Sequence, residues 1–353
     1  MNTDFLFPKA VELLKALIRT PSFSGEEDQT ALLISRWLED FGIRFHRSGN
    51  NVWALNQHFD PLKPSILLNS HHDTVKPNQA YTNDPFEAKV EDGKLFGLGS
   101  NDAGGCLVAL MALFVYFYEQ KELKYNLILA ATAEEENSGD RGIRSLLSDL
   151  PAIDFAVVGE PTAMQLAIAE KGLLVIDGYA EGISGHAAHD NTDNAIYRAL
   201  EDIQWIRNYH FPKVSETLGK VKMSVTQIDA GSQHNVVPAA CHFVVDVRVN
   251  EAYTNEAVFE VIDAHTQSRM VARSFRLKSS SIPVDHPIVQ AGIRLGRKTY
   301  GSPTLSDQAN LNCPSLKIGP GVSSRSHSAN EFIYLAEIRE GIEGYIKIFD
   351  QIL

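Results

Sequence analysis

Histidine and acidic residues directly follow three apolar segments that the sequence predicts to be β-strands. The three groups are Ser70-His71-His72-Asp73 after residues 66–69, Glu134-Glu135-Glu136 after residues 127–132, and Gly159-Glu160-Pro161-Thr162 after residues 155–158. In an open α/β sheet, ligands bind outside the carboxyl ends of the strands, so these groups would converge on one crevice. Adjacent glutamates repel one another unless a cation compensates them, and imidazole with carboxylate is a zinc-compatible ligand set. The pattern therefore indicates a divalent-metal site in which a free carboxylate acts as a base on water.

Two further segments supply candidate ligands. Asp102 lies in the segment 97–105, whose glycines allow an unusual backbone path close to a ligand. His327 lies in the loop 319–331, before the predicted last helix. Taken singly, these residues have ordinary explanations, because histidines are often structural and acids often occupy loops or first helical turns. Those explanations do not account for acids that gather at one edge of a sheet.

The elements that would position these residues alternate between strand and helix. An amphipathic helix is predicted near residues 11–18, and a second helix is predicted to begin at a capping box formed by Ser24 and Glu27. Strands and helices then alternate as far as residue 158, which is typical of a sheet covered by helices.

The order of elements changes near Gly172. From there the pattern is βαββαβ, the ferredoxin-like arrangement, with a helix at 252–269 and a last strand at 275–278. After Pro283 the chain returns to helix. We therefore predict an α/β catalytic domain made of residues 1–171 and 284–353, and an inserted α+β domain made of residues 172–283.

Composition restricts the class of protein. The net charge of −12 argues against nucleic acid or an anionic membrane as a partner. The cysteines Cys106, Cys241 and Cys313 lack CxxC spacing and suit a reduced, cytoplasmic protein, and no signal peptide is expected. The apolar run 106–118 is shorter than the roughly 20 residues that cross a bilayer, so it predicts a buried core helix.

Five of these segments together resemble the metal-site motifs of one family. The segments are His71-His72-Asp73, Gly97 to Asp102, Glu135-Glu136, Gly159 to Thr162, and Gly319 to His327. The family contains acetylornithine deacetylase, succinyl-diaminopimelate desuccinylase, aminoacylases, carboxypeptidases and dipeptidases. The resemblance extends over nearly the whole chain, and it implies a zinc-peptidase catalytic domain with an inserted lid and dimerisation domain.

The resemblance implies two Zn²⁺ ions per subunit, for which Co²⁺ can substitute. Asp102 would bridge the two ions. His71 and Glu160 would complete one site. Glu136 and His327 would complete the other.

The resemblance also implies roles for the residues beside the ligands. Glu135 would be the general base, and Asp73 would orient His71. The family usually has Asp-Glu-Glu where this chain has Glu134-Glu135-Glu136. An alignment shifted by one residue therefore stays open, with Glu134 as the base and Glu135 as the ligand.

Three residues of the inserted domain resemble the family's substrate-contacting residues. His186 would reach the active site of a partner subunit and stabilise the oxyanion, so a homodimer through the inserted domain is expected. Asn235 and Arg248 would hold the substrate's carboxylate, although Arg248 could instead form a structural ion pair with Asp246. Ser306-Asp307 resembles, more weakly, a motif near the family's substrate pocket.

The resemblance predicts a metal-dependent amidohydrolase whose substrate is a small N-acyl amino acid. The leading expectation is N-acetyl- or N-succinyl-L-ornithine, deacylated to ornithine in arginine biosynthesis. Succinyl-diaminopimelate desuccinylase, an aminoacylase, a dipeptidase and an inactive metal-binding homologue stay open as alternatives. Many family members carry a lysine soon after the bridging aspartate, where this chain has Ala103-Gly104-Gly105, so no single branch supplies the substrate.

Overall fold

The structure, a computed structural model, describes residues 2–190 and 192–353 and forms two compact units. The first unit contains the chain up to Ile168, Ser281–Tyr300 and Ser306–Leu353. The second unit contains Ala169–Ser280 and Gly301–Leu305. The segment 301–305, which the sequence assigned to the catalytic domain, joins the second unit because the Lys171 N–H donates to the Ser302 carbonyl (3.2 Å).

Helices account for much of both units. The α-helices of the described residues are α1 (Thr3–Ile18), α2 (Asp28–Asp40), α3 (Gly105–Phe117), α4 (Ile143–Leu146), α5 (Ala195–Asn208), α6 (Asn255–His265), α7 (Pro287–Arg294) and α8 (Leu335–Phe349). A π-helical turn, Ser100–Gly104, precedes α3, and short 3₁₀ helices cover Asp307–Asn310 and Ser323–Arg325.

Most of the strands of the described residues belong to two sheets. In chain order they are β1 (Phe45–Ser48), β2 (Asn51–Leu55), β3 (Ser65–His71), β4 (Val90–Glu91), β5 (Lys94–Phe96), β6 (Asn126–Thr132), β7 (Phe155–Val158), β8 (Leu166–Glu170), β9 (Gly172–Glu181), β10 (Gly185–His186), β11 (Lys222–Ala230), β12 (Val236–Val237), β13 (Ala240–Val249), β14 (Arg269–Ala272), β15 (Ser280–Ser281), β16 (Thr299–Ser302), β17 (Ser315–Lys317) and β18 (Phe332–Tyr334).

The first unit is built around a mixed sheet with the strand order β1-β2-β6-β3-β7-β17-β8-β15, and β16 pairs with β8. The four central strands β6, β3, β7 and β17 are mutually parallel, so their carboxyl ends lie at the same edge. Every residue of β3 and β6 is buried. Continuous apolar runs of this kind are typical of parallel strands that are covered on both faces.

Helix α3 forms the centre of the larger hydrophobic core. Apart from Tyr116, all its residues are buried, and it packs against α1, α8 and β3. The stretch Ser100–Phe117 has the length and composition of a membrane span, yet 89% of it is buried inside the protein. The predicted core helix is therefore confirmed.

A small sheet of order β18-β5-β4 brings two distant loops together in the first unit. Strand β5 leads directly into the segment that carries Asp102, and β18 directly follows the loop that carries His327. Their antiparallel pairing, with Phe96 opposite Phe332, fixes the start of one loop against the end of the other.

The second unit has the βαββαβ order that the sequence predicts, with antiparallel strands arranged β11-β13-β9-β14. The predicted last strand, 275–278, is wrong, and so is the predicted end of the helix at 269. Helix α6 ends at His265, and β14 takes the fourth position in the sheet. Residues 275–277 instead form a loop, because the Asn255 side chain donates to the carbonyl groups of Phe275 and Leu277.

Candidate metal centre

His71 is the last residue of β3, and its side chain is buried at the carboxyl edge of the central sheet. Its Nδ1 lies 3.0 Å from the backbone carbonyl oxygen of Asp73. Its Nε2 is buried and has no hydrogen-bond partner. A buried polar atom without a partner is costly, so its presence in a native structure needs an explanation.

Three carboxylate oxygens surround this nitrogen. They are Asp102 Oδ1 at 3.4 Å, Glu160 Oε1 at 3.7 Å and Glu135 Oε2 at 3.9 Å. These separations are longer than ordinary hydrogen bonds. An imidazole nitrogen enclosed by carboxylates at such distances is the arrangement that a divalent cation would satisfy.

His327 faces the same cluster from the other side. Its Nε2 lies 3.0 Å from Glu136 Oε2 and 3.6 Å from Asp102 Oδ2. The two oxygens of the Asp102 carboxylate thus face two different histidines. His327 has a φ of 57°, in the left-handed region, and its side chain is 54% exposed, whereas the His71 side chain is buried.

The five ligands expected from the sequence, together with Glu135, therefore lie in one cluster. Two overlapping triads have donor atoms within 4.8 Å of one another: His71, Asp102 and Glu136, and His71, Glu135 and Glu160. Imidazole nitrogen and carboxylate oxygen are suitable donors for zinc and for cobalt. The donor set and the unpartnered His71 nitrogen fit a divalent transition-metal ion.

The electrostatics of the cluster indicate that it requires positive charge. Burial lowers the pKa of His71, but the adjacent carboxylates of Asp102 and Asp73 raise it to well above its usual range. The hydrogen-bonded carboxylate of Glu136 raises the pKa of His327 to about 9. Without metal, these carboxylates therefore favour the protonated form of each histidine. A cation bound at their nitrogens would replace those protons.

Two glutamates of the cluster also avoid negative charge when no cation is present. Burial, together with the charge of Asp102, raises the pKa of Glu160 to about 8. Burial raises the pKa of Glu135 well above its usual range, and the charge of Glu160 contributes to the increase. Carboxylates packed so closely repel one another unless cations or protons compensate them.

The Asp73 carboxylate organises the glutamate turn. Its Oδ1 accepts the Glu135 N–H (3.0 Å), and its Oδ2 accepts the Glu136 N–H (3.1 Å) and the Ser24 hydroxyl (2.7 Å). The predicted capping box is therefore wrong. Helix α2 begins at Asp28 without a side-chain cap, and Ser24 is used to hold Asp73 instead.

The Glu134 carboxylate contacts Arg141 instead of the histidines. Glu134 has a φ of 53°, and its carboxylate accepts the Arg141 side chain (2.7 Å) and the Arg141 backbone N–H (2.9 Å). Its own N–H donates to the buried carboxylate of Glu27 (3.3 Å). Glu135 and Glu136 are the two glutamates that face His71 and His327, so these contacts favour the unshifted alignment.

Glu331 was not identified as a site residue by sequence reasoning. It is 2% exposed, and its carboxylate accepts the backbone N–H groups of Gly99 (3.2 Å), Asn101 (2.8 Å) and Asp102 (2.9 Å). Burial and the charge of Asp102 raise the pKa of Glu331 to about 8. The available signal was weak, because the acid stands four residues after His327 in a loop with no periodic pattern.

Asp307 is buried next to the end of β6. It is 4% exposed and accepts the hydroxyl of Thr132, the last residue of β6 (2.7 Å). Burial raises its pKa to about 6. The Asp307 carboxylate therefore supports the end of a central strand, close to His71 and Asp73.

Comparison with known proteins identifies the family. Residues 67–351 match the model described as peptidase family M20/M25/M40. The chain belongs to this family. It is accordingly a metal-dependent hydrolase of the M20 type, and its mixed α/β sheet is the sheet of M20 structures.

Two named relatives and one solved structure show how far the likeness extends. The chain is 29% identical to acetylornithine deacetylase of Salmonella arizonae, over 93% of this chain and 94% of the relative. It is 24% identical to succinyl-diaminopimelate desuccinylase 2 of Ruegeria sp., over 93% and 91% of the two chains. A Bacillus subtilis protein described as a dinuclear metal-binding M20 peptidase superposes with a TM-score of 0.71, at 18% identity over 99% of each chain.

The remaining expected site residues lie in the second unit of this M20 chain. His186 is exposed in β10, which pairs with β12, and the Ala187 N–H donates to the carbonyl of Asn235 (3.0 Å). His186 and Asn235 are therefore neighbours. Arg248, on β13, makes two hydrogen bonds to the Asp246 carboxylate, of 2.9 and 3.1 Å.

Proposed function

We propose that this M20 protein is a two-metal amidohydrolase that removes the acyl group from N-acetyl- or N-succinyl-L-ornithine, as in arginine biosynthesis. One observation carries the two-metal part of the proposal. Asp102 Oδ1 lies 3.4 Å from His71 Nε2, and Asp102 Oδ2 lies 3.6 Å from His327 Nε2. A carboxylate that presents one oxygen to each of two histidines has the geometry of a bridging ligand.

The proposed ligands divide into two sets that share Asp102. His71 and Glu160 form one set, and Glu136 and His327 form the other. Zinc is the proposed metal, and cobalt is the proposed substitute. A pair of divalent cations held there would polarise the amide carbonyl and would lower the pKa of a water molecule towards neutrality.

Glu135 is the proposed general base. Its carboxylate lies 3.9 Å from His71 Nε2, and its backbone is fixed by the Asp73 carboxylate. A raised pKa brings a glutamate closer to the pH at which it both takes up and releases a proton efficiently. Glu135 would take the proton of the attacking water and would later deliver it to the leaving amine.

Residues of the second unit would complete the site across a homodimer. His186 would stabilise the oxyanion that forms on the carbonyl, and Asn235 with Arg248 would bind the substrate's α-carboxylate. The exposure of His186 and its pairing beside Asn235 support this assignment. The two hydrogen bonds that Arg248 donates to the Asp246 carboxylate would hold the guanidinium in one orientation.

The substrate proposal is supported by the two relatives. One is named as a deacetylase of acetylornithine and the other as a desuccinylase of succinyl-diaminopimelate. Both names describe removal of an acyl group from an amino group. Ornithine is preferred because the deacetylase has the higher identity, 29% against 24%. Succinyl-diaminopimelate is the second candidate, and the 24% relative is the observation that favours it.

A panel of substrates tests the proposal. The zinc-loaded protein is assayed with acetylornithine, succinylornithine, acetylcitrulline, succinyl-diaminopimelate, an N-acyl neutral amino acid and a dipeptide, and metal content is measured in the same preparation. We expect the highest kcat/KM with one of the two ornithine derivatives. A clear preference for succinyl-diaminopimelate, the neutral amino acid or the dipeptide would indicate a desuccinylase, an aminoacylase or a dipeptidase. Less than one zinc per chain, with no turnover, would indicate an inactive homologue.

A further inference from the structure

The Glu331 carboxylate is buried against the backbone of Asp102, the proposed bridging ligand. Its side chain accepts the N–H groups of Gly99, Asn101 and Asp102, at 2.8–3.2 Å. These donors are consecutive or nearly consecutive along the turn that carries the Asp102 side chain. The orientation of this turn therefore depends on one acceptor, contributed from a residue 229 positions away.

A carboxyl group suits this position better than an amide, because its oxygens accept three backbone N–H groups. The three donors require an acceptor with two oxygens, and a carboxylate has no N–H or O–H of its own when it is ionised. A glutamine at the same place would direct one NH₂ group towards backbone N–H groups. At least one of the three donors would then lose its partner inside the protein, which is the costly outcome for a buried group.

Further contacts of Glu331 join the two loops that carry Asp102 and His327. The Gly97 N–H donates to the Glu331 carbonyl (3.0 Å), which continues the pairing of β5 with β18. The Glu331 N–H donates to the hydroxyl of Tyr81 (3.3 Å). Glu331 therefore connects the two loops through both its backbone and its side chain.

A second pair of hydrogen bonds strengthens this connection. The Asn101 side chain donates to the Val322 carbonyl (3.1 Å) and accepts the Val322 N–H (3.0 Å). Because Asn101 is also held by Glu331, the start of the His327 loop is fixed to the same turn as its end. The distance between Asp102 Oδ2 and His327 Nε2 is thus set by these contacts.

The other half of the cluster is held differently. His71 is the last residue of β3, and Glu160 follows the adjacent parallel strand β7. The Gly159 N–H donates to the Asn69 carbonyl (2.7 Å), and the Ser70 hydroxyl donates to the Gly159 carbonyl (2.8 Å). None of these contacts involves Glu331, so Glu331 reaches this half only through the shared Asp102.

We propose that Glu331 is a positioning residue that holds the Asp102 carboxylate between His71 and His327 and so determines the binding of the second metal ion. The proposal rests on the two-metal site of the proposed function. Partners that orient metal ligands typically change metal affinity by about 10–100-fold when they are mutated. The effect of Glu331 should fall mainly on the set formed by Glu136 and His327, because the strands keep the other set in place.

The chain offers a matched control in the second unit, which contains none of the proposed metal ligands. Asp202 is 3% exposed, and its carboxylate accepts the backbone N–H groups of Gln267 (2.9 Å) and Ser268 (2.8 Å). Asp202→Asn therefore makes the same chemical change as Glu331→Gln, in a buried carboxylate that holds a backbone segment. Its general cost to folding should be similar.

The experiment is a titration of full-length, metal-free protein with Co²⁺, followed by visible absorption and checked by metal analysis. Wild type and Asp202→Asn should bind two equivalents with the same affinities. Glu331→Gln should bind its first equivalent within about threefold of wild type and its second about 10–100-fold more weakly. Glu331→Asp keeps the charge but shortens the reach, and it should give a smaller loss at the second equivalent.

Each result distinguishes the positioning role from the other possibilities. Unchanged binding of both equivalents by Glu331→Gln would overturn the positioning role, as would an equal loss in Asp202→Asn. If Glu331→Gln does not fold, the Glu331→Asp titration decides, and wild-type affinity for the second equivalent would overturn the proposal. If wild type itself binds one equivalent or none, the two-metal function fails, and the role of Glu331 fails with it.

Discussion

The Nδ1 atom of His71 lies 3.0 Å from the backbone carbonyl oxygen of Asp73, and 3.4 Å from the Asp73 carboxylate. A carbonyl oxygen only accepts hydrogen bonds, so Nδ1 carries a proton, and in the neutral ring Nε2 keeps the lone pair that a metal requires. The carboxylate is then available to accept the N–H groups of Glu135 and Glu136. Asp73 therefore positions His71 through its backbone carbonyl. Its side chain positions Glu135, the proposed base, and Glu136, a proposed ligand.

Glu135→Gln should reduce kcat by about 10²–10⁴-fold while both metal ions stay bound, because it removes a general base without removing a proposed ligand. The measurement is steady-state kinetics together with metal analysis. Glu134→Gln is the matched control, since its carboxylate faces Arg141. It should lose stability, by about 1–2 kcal/mol, and much less activity. A larger loss of kcat in Glu134→Gln than in Glu135→Gln would support the shifted alignment instead.

Substitution of the proposed ligands should change the metal content in a graded way. His327→Ala should retain about one zinc per chain, because the set that contains His71 and Glu160 stays intact. Asp102→Asn should retain less than wild type at both positions, since a neutral amide cannot bridge two cations as a carboxylate does. Metal analysis after zinc reconstitution and gel filtration measures both effects. Two zinc ions per chain in Asp102→Asn would contradict the bridging role.

Arg248→Lys should raise KM for the preferred substrate by more than about tenfold and leave kcat within about threefold. The reason is that lysine has a point charge in place of the planar, bidentate guanidinium of arginine. Arg273→Lys is the control. Arg273 is also paired with an aspartate in the second unit, Asp177, at 2.7 and 3.0 Å, but it has no proposed role in binding. Equal kinetics in the two variants would show that Arg248 only forms a structural ion pair.

His72 should make the metal-free protein sensitive to mild acid. Its ring is 6% exposed, and burial lowers its pKa to about 4, against about 6.5 in an unfolded chain. Between these values the unfolded state binds a proton that the folded state does not, so the contribution to stability is complete above pH 6.5 and is lost as the pH falls to about 4. The loss amounts to about 3 kcal/mol at most.

His72→Gln removes this titration and should flatten the pH dependence. The free energy of unfolding is measured by urea denaturation at pH 7 and pH 4.5, with EDTA present so that metal binding does not contribute. Thr30 and the Asn50 carbonyl, which contact the ring at 2.9 and 3.0 Å, remain to bond the glutamine amide. The same loss of stability between the two pH values in wild type and variant would refute the assignment to His72.

The sequence by itself was sufficient to predict the central sheet and most of the cluster. A parallel strand that is covered on both faces is mostly apolar, so the apolar runs that precede His71, Glu134 and Glu160 are visible without any structure. The carboxyl ends of such strands lie at one edge. The sequence also predicts a short strand near Leu316, and the structure shows that this strand, β17, pairs in parallel with β7 and leads into the loop of His327.

Only the tertiary structure decided which groups hold the cluster in place. Ser24 donates to the Asp73 carboxylate and does not cap a helix. Arg141 donates to the Glu134 carboxylate. Glu331 accepts backbone N–H groups of the turn that carries Asp102. The first and last of these pairs are separated by 49 and 229 positions. A hydrogen bond between distant loops produces no periodicity and no local pattern of hydrophobicity. Such a bond exists because packing brings a donor and an acceptor together where water cannot replace either, and that is a property of the folded chain alone.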